Sequence, residues 1–161
     1  MSNQREYEIA LENPSERRRF IQGIDLGKAE QYVEKVLLGL KNNSDGDLMI
    51  TRKKFYERKS TIVVYPLSFS FDFHPNFSDF YSTLVYHEFY HAKQRSIGIR
   101  LDPLEEFMAC VNQIKNFNSE NSDKFKERTR LDTEKIIQDF RDFGPQILID
   151  KTNRIYVSLK K

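Results

Sequence analysis

The chain has 161 residues, 39% hydrophobic and 31% charged, and this length fits one domain, residues 1–161, with a buried core. A formal net charge of +2 does not favour nucleic acid as a partner, and the single cysteine, Cys110, excludes an internal disulfide. No stretch of about 18 apolar residues occurs and the N-terminus is polar, so we expect no membrane partner, no secretion signal and a cytoplasmic protein.

The N-terminal part of the chain predicts an arm followed by a helix. Residues 1–22 are polar with weak periodicity, which predicts a loosely ordered arm or a short helix. Apolar residues then recur at helical spacing and predict an amphipathic helix over about residues 27–41. The turn-forming residues 42–46, Asn-Asn-Ser-Asp-Gly, end that helix.

β-Branched and aromatic residues predominate over residues 47–72 and predict two or three strands. Pro66 indicates that the second strand breaks or lies at a sheet edge, where an extended peptide can add as a further strand. The basic cluster at residues 52–54, like that at residues 17–19, is interpreted as solvated surface. The first predicted strand contains Leu48, Ile50, Phe55 and Tyr56, and a turn at residues 58–60 follows it. The second predicted strand is residues 61–65 and the third is residues 69–71.

The second half of the chain predicts mainly helices. Asn76 or Ser78 can cap the first of them and Gly98 suits its C-terminal end, while Asp102-Pro103 is typical of a new helix start. The predicted elements are helices over about residues 79–96, 102–116 and 123–142, followed by a closing hairpin of residues 147–149 and 155–157.

His87-Glu88-Phe89-Tyr90-His91 reads HExxH and lies inside a predicted helix. Four residues are close to one helical turn, so both imidazoles project from the same face. Two neutral imidazoles at this spacing can bind one Zn²⁺, and Glu88 beside them can reach a metal-bound water. A metal ion paired with a carboxylate is typical of a metal-assisted hydrolase.

A catalytic zinc site uses three protein ligands, so the two histidines need a partner. Glu106 is the predicted third ligand, because it shares a helical face with Ala109, which is small enough to let two helices approach closely. Glu105 points about 100° away on the same helix and is the alternative. The remaining histidine, His74, lies before the motif.

Residues 83–91, followed by Glu106-Phe107-Met108-Ala109, resemble the HExxH…ExxA pattern of zincin metallopeptidases, most closely the compact gluzincins known as minigluzincins. The resemblance covers about residues 27–117. It implies that His87, His91 and Glu106 bind one zinc ion per chain and that Glu88 is the general base in peptide-bond hydrolysis.

This chain departs from the family pattern at Cys110, where many relatives carry an Asp or Asn that hydrogen-bonds a zinc-binding histidine. The group with that role is therefore open. Relatives also use a Tyr, His or Arg to stabilise the oxyanion, and Tyr65 and His74 are both candidates.

The predicted fold class is α+β: a compact zincin-like domain in which a small mixed sheet packs on the HExxH helix and the following glutamate helix, with a C-terminal helix and hairpin. The expected partner is a peptide or protein substrate. Two other functions stay open, a catalytically silent zinc-binding module and an interaction protein with an accidental HExxH. The presence of Glu88 counts against the silent module, because metal binding alone does not need it.

Overall fold

The computed structural model describes residues 2–98 and 102–160. Its N-terminal part forms helix α1 (Ser2–Glu12), a 3₁₀ turn (Pro14–Glu16) and helix α2 (Arg17–Gln22). Tyr7 of α1 and Phe20 of α2 are buried, and the Tyr7 hydroxyl donates to the His74 carbonyl oxygen at 2.5 Å. The segment is therefore not a loosely ordered arm, and the alternative of a short helix is correct, because a few buried aromatic residues anchor an otherwise polar stretch.

The sheet contains the strands β1 (Val33–Leu38), β2 (Met49–Arg52) and β3 (Ser60–Val64), in the order β1-β3-β2. Strand β1 runs parallel to β3 and β2 runs antiparallel to it, so the sheet is mixed, as predicted. Because β3 is central, the prediction that the strand around residues 61–65 is an exposed edge is wrong.

The predicted amphipathic helix over residues 27–41 is wrong. A 3₁₀ turn (Gly27–Gln31) leads directly into β1. The misleading signal is a short apolar run that fits helical and strand spacing alike, and in such a run the β-branched Val33 and Val36 favour the strand.

Strand β3 ends before Pro66, which begins a 3₁₀ turn (Pro66–Ser68), so the proline breaks the run. The aromatic residues 69–71 form no strand, although Phe69 is buried in the core. Phe55 and Tyr56 also lie outside the sheet, in the connection between β2 and β3.

The HExxH sequence lies on a long helix made of α3 (Phe77–Tyr81), a π-helical segment (Ser82–Glu88) and α4 (Phe89–Ser96), which we call the motif helix. Asn76 caps it by accepting from the Asp79 amide at 2.9 Å. Gly98 follows its end with φ of +83°, a left-handed conformation that favours glycine. Both predicted helix signals are therefore confirmed, and the predicted break at residues 98–102 falls largely on residues 99–101, outside the described residues.

Three further helices complete the described structure. The first two match their predictions closely, and Ser122 caps the second by accepting from the Phe125 amide at 3.1 Å. The predicted closing hairpin is wrong, because this segment is a helix. Ile149, Thr152 and Tyr156 share one face of it, and its apolar side packs on the preceding helices. These helices are α5 (Asp102–Lys115), α6 (Asp123–Phe143) and α7 (Gln146–Leu159).

Two hydrophobic cores lie on the two sides of the site. The first core joins α1, α2, the sheet and the motif helix around an aromatic cluster in which Phe80 lies 5.2 to 5.4 Å from the rings of Tyr7, Phe20 and Phe69. The second core joins α5, α6 and α7 through Phe107, Val111, Ile137, Phe140 and Tyr156. The fold class is α+β, and among the described residues no helix has the length and apolar character needed to cross a membrane.

Candidate metal centre

The motif helix turns its two histidines toward α5. Its apolar side chains, Leu84, Phe89 and Ala92, pack into the first core, which leaves the opposite face for the imidazoles. His87 belongs to the π-helical segment and His91 to α4, and their ring centroids lie 5.0 Å apart. π-Helical geometry is rare and occurs often at functional sites.

Glu106 lies between the two imidazoles. Its Oε1 is 3.0 Å from His87 Nε2 and its Oε2 is 2.9 Å from His91 Nε2. The close approach of α5 depends on Ala109, which is fully buried, and on Asn112, whose amide donates to the Tyr86 carbonyl oxygen at 2.8 Å. Glu106 thus contacts both imidazoles, and the three predicted ligand side chains lie beside one another.

The outer nitrogens of both imidazoles also have acceptors. His87 Nδ1 lies 2.8 Å from Gln113 Oε1, and His91 Nδ1 lies 2.5 Å from Glu105 Oε1. A proton on each Nδ1 satisfies these contacts and turns the lone pair of each Nε2 toward Glu106, the orientation needed by a metal ligand. Glu105 therefore does not join the ligand cluster, and Gln113 fills the role that the sequence left open at Cys110.

Protons and cations compete for this cluster. Burial opposes charging of the His87 ring, but the Glu106 carboxylate and the Cys110 thiol together outweigh burial and raise the pKa of His87 well above its ordinary value. Burial likewise opposes charging of His91, and the hydrogen bond to Glu106 raises its pKa. Burial alone would raise the pKa of Glu106, but the two imidazoles hold it far below the ordinary value. Without a metal the cluster therefore retains protons, which a divalent cation has to displace.

Glu88, the predicted general base, is buried beside the sheet. The Thr51 hydroxyl lies 2.6 Å from Glu88 Oε2 and 3.1 Å from the Glu88 carbonyl oxygen. Burial raises the pKa of Glu88, and the two imidazoles and Thr51 offset part of that rise. Sequence reasoning missed Thr51, because a threonine in a strand carries no signal of which carboxylate will pack against it.

The donor set fits zinc. Two imidazoles and a carboxylate are the ligands of many catalytic zinc sites. The thiol of Cys110 is near as well, because one ligand atom each from His87, Glu106 and Cys110 all lie within 4.8 Å of one another. The Glu106 side chain is 45% exposed, so the cluster opens to solvent on one side.

The cluster lies in a cleft of about 890 Å³ between strand β2 and helix α6. Thr51 and Met49 belong to the β2 wall, and Arg128 and Asp132 belong to the α6 wall. Its volume exceeds what a metal ion and one water need and is typical of a small-molecule or peptide site.

Neither predicted oxyanion stabiliser lines the cleft. His74 is buried with Nδ1 2.7 Å from the Ser68 carbonyl oxygen and Nε2 2.8 Å from Thr83 Oγ1, and burial lowers its pKa to about 3. The Tyr65 hydroxyl accepts from Arg52 at 3.2 Å. His74 is therefore a core residue, and among the described residues the cationic cleft-lining side chains are Arg95, Arg128 and Lys135.

Comparison with known proteins yields no relative: no family model matches the chain, and neither curated proteins nor solved structures give a significant match. The interpretation of this site therefore depends on its own residues and geometry.

Proposed function

We propose that this protein is a zinc-dependent peptidase of the zincin type. The observation that carries the proposal is the convergence of His87, His91 and Glu106 beside the buried carboxylate of Glu88, in a cleft that can hold a peptide. The same three side chains are the ligands predicted from HExxH and its downstream glutamate.

In this mechanism His87, His91 and Glu106 would hold the metal. A zinc ion there would supply a Lewis acid that lowers the pKa of water and polarises a carbonyl group. Glu88 takes a proton from the attacking water and later gives it to the leaving amine. Because Thr51 contacts Glu88 Oε2, the other carboxylate oxygen is available for that proton, and burial makes the carboxylate a stronger base.

The substrate strand belongs at β2, not at β3. Tyr65 N donates to the Leu48 carbonyl oxygen at 2.9 Å, so the antiparallel alternation turns the backbone of Met49 and Thr51 away from β3. Arg95 donates to the Thr51 carbonyl, and the amides of Met49 and Thr51 remain for a peptide that adds along this edge of the cleft.

A zinc-binding module without hydrolysis is the second candidate. Its support is Cys110, because its thiol lies within 4.8 Å of ligand atoms of His87 and Glu106. A thiolate ligand there would take the position that a catalytic site leaves open for water, and closed sites are structural. The third possibility, an interaction protein, predicts no metal binding at all.

Elemental mass spectrometry tests the ligand set. We expect about one zinc per wild-type chain after reconstitution and loss of that zinc in His87→Ala, His91→Ala and Glu106→Ala. The matched control Glu127→Ala removes an exposed carboxylate of α6 and should keep the metal. Absence of zinc from reconstituted wild type refutes the metal site and favours the interaction protein.

Cleavage of a broad peptide library separates the remaining two candidates. Zinc-loaded wild type should cleave peptides, and Glu88→Gln should keep its zinc and lose at least about 100-fold in rate. Zinc-loaded wild type that cleaves nothing favours the silent module, and a Glu88→Gln protein that cleaves as fast as wild type refutes Glu88 as the general base.

A further inference from the structure

The connection between β2 and β3 exposes two neighbouring aromatic side chains. Phe55 is 93% exposed and Tyr56 is 67% exposed, and their rings meet edge to face with centroids 5.4 Å apart. The turn that presents them is held at both ends, because the Glu57 amide donates to the Lys54 carbonyl oxygen at 3.0 Å and the Lys54 amide donates to Glu57 Oε1 at 3.2 Å. The apolar surface is thus displayed by a hydrogen-bonded turn.

Basic residues surround this aromatic pair. Residues 52–59, which we call the basic aromatic loop, contain five Lys and Arg against one acid, Glu57, although the whole chain has a formal net charge of only +2. Arg52, Lys54 and Arg58 are exposed at the surface. The cation of Lys54 lies 5.8 Å above the Tyr56 ring, so positive charge and aromatic surface form one patch.

We propose that the basic aromatic loop docks the protein on a lipid surface that carries anionic headgroups. Aromatic side chains with an exposed apolar body favour the membrane–water interface, and Lys and Arg beside them are attracted to anionic lipids. The expectation of no membrane partner came from the absence of a spanning segment, which does not bear on a contact confined to one loop.

The arrangement of the rings favours lipid over single-stranded nucleic acid. Bases stack on open aromatic faces, whereas Phe55 meets Tyr56 edge to face and Lys54 covers a face of Tyr56. Insertion into a bilayer interface needs only exposed apolar surface, which the loop presents.

Docking in this way would set the position of the cleft. The loop begins with Arg52, the last residue of β2, and Thr51 before it contacts Glu88 at 2.6 Å, so the β2 end of the cleft would lie near the lipid surface. The proposal does not depend on zinc or on hydrolysis, because it concerns a separate part of the molecular surface.

Vesicle co-sedimentation of the full chain tests the proposal. Vesicles of phosphatidylcholine and phosphatidylserine at about 3:1 should bind wild type, and pure phosphatidylcholine vesicles or high salt should remove most of that binding. The double variant Phe55→Ser/Tyr56→Ser should bind the anionic vesicles at least about tenfold more weakly. The charge reversals Lys54→Glu and Arg58→Glu should each lower binding about fivefold or more.

Phe143→Ser is the matched control, because Phe143 is 90% exposed at the end of α6 and its neighbours in the sequence include one base, Arg141, beside the acids Asp139 and Asp142. This variant should bind like wild type. Equal binding to neutral and anionic vesicles, no binding to either, or unchanged binding by the loop variants overturns the proposal. Displacement of the wild-type protein from anionic vesicles by single-stranded DNA also overturns the proposal, because tighter binding to DNA would assign the loop to nucleic acid.

Discussion

At the scale of single residues, the candidate site depends on two side chains that contact the histidines and are not themselves candidate metal ligands. Gln113 and Glu105 accept from the outer nitrogens of His87 and His91, which fixes both rings with Nε2 toward Glu106. A ligand whose ring is free to rotate binds metal more weakly, because the ring has to be ordered on binding.

The first prediction concerns Gln113. Replacing it with Leu removes the acceptor for His87 Nδ1 and should weaken zinc binding about 10- to 100-fold, as measured by competition with a chromogenic chelator. Gln113→Glu keeps an acceptor oxygen and should retain an affinity near that of wild type. Equal zinc affinity in the Leu variant and wild type would show that the hydrogen bond to Gln113 has no part in ordering the ring.

The second prediction concerns His74 and pH. Burial lowers its folded-state pKa to about 3, whereas the unfolded chain titrates near the ordinary value of 6.5. The unfolded state therefore binds a proton first as pH falls, and the stability that the neutral ring contributes is present above pH 6.5 and is lost progressively toward pH 3. Denaturant unfolding at a series of pH values should show this loss, amounting to a few kcal/mol at most.

The control for His74 is the His74→Gln variant, which keeps polar atoms near Ser68 and Thr83 but does not titrate. Its free energy of unfolding should depend less steeply on pH than that of wild type between pH 6.5 and 3. Parallel curves for the two proteins would contradict a buried neutral His74.

At the scale of elements, the sequence predicted those helices whose ends carry chemical signals. Asn76 and Gly98 were predicted to mark helix ends, and the structure places a side-chain cap and a left-handed glycine there. Ser122 caps α6 in the same way, although it was not predicted from the sequence. The strand β1 and the helix α7 were predicted as the opposite type, because short apolar runs fit both periods and only tertiary packing decides between them.

The candidate site was likewise predicted where local sequence determines the geometry, and it was not predicted where tertiary packing does. The HExxH spacing follows from helical geometry within one segment, and Glu106 was preferred to Glu105 for the helical face that it shares with Ala109. Gln113 and Thr51 come to the site from a later turn of α5 and from the sheet, and nothing in the local sequence specifies those contacts. The π-helical geometry of the motif helix was likewise not predicted, since it has no simple pattern of its own.

The third prediction concerns the junction between α6 and α7. A Cβ added at Gly144 would lie 2.8 Å from the Phe140 carbonyl oxygen, which is backbone and accepts from the Gly144 amide at 2.7 Å. Gly144→Ala should therefore destabilise the protein by about 1–3 kcal/mol in chemical denaturation. Gly23→Ala is the control, because its Cβ would meet only ordinary contacts at 3.5 and 3.6 Å. A Gly144→Ala loss no larger than that of Gly23→Ala would show that the helix end relaxes freely.

At the scale of the whole molecule, the candidate metal position joins two cores. His87 and His91 belong to the motif helix, which packs in the first core, and Glu106 belongs to α5, which packs in the second. A metal held by all three side chains therefore links parts of the fold that are otherwise stabilised by separate sets of apolar contacts.

The fourth prediction follows from that link. Zinc at about 100 times its dissociation constant should stabilise the folded state by about 2.7 kcal/mol, because the unfolded chain does not present the three ligands together. For a chain of this size the gain corresponds to a rise of roughly 5–10 °C in Tm, which calorimetry with zinc and with a chelator measures directly. Glu106→Ala should lose most of the rise and Glu127→Ala should keep it.

If both cores unfold in one transition, zinc should shift that transition as a whole. A shift confined to one of two separate transitions would instead show that the metal binds within one core and does not link them.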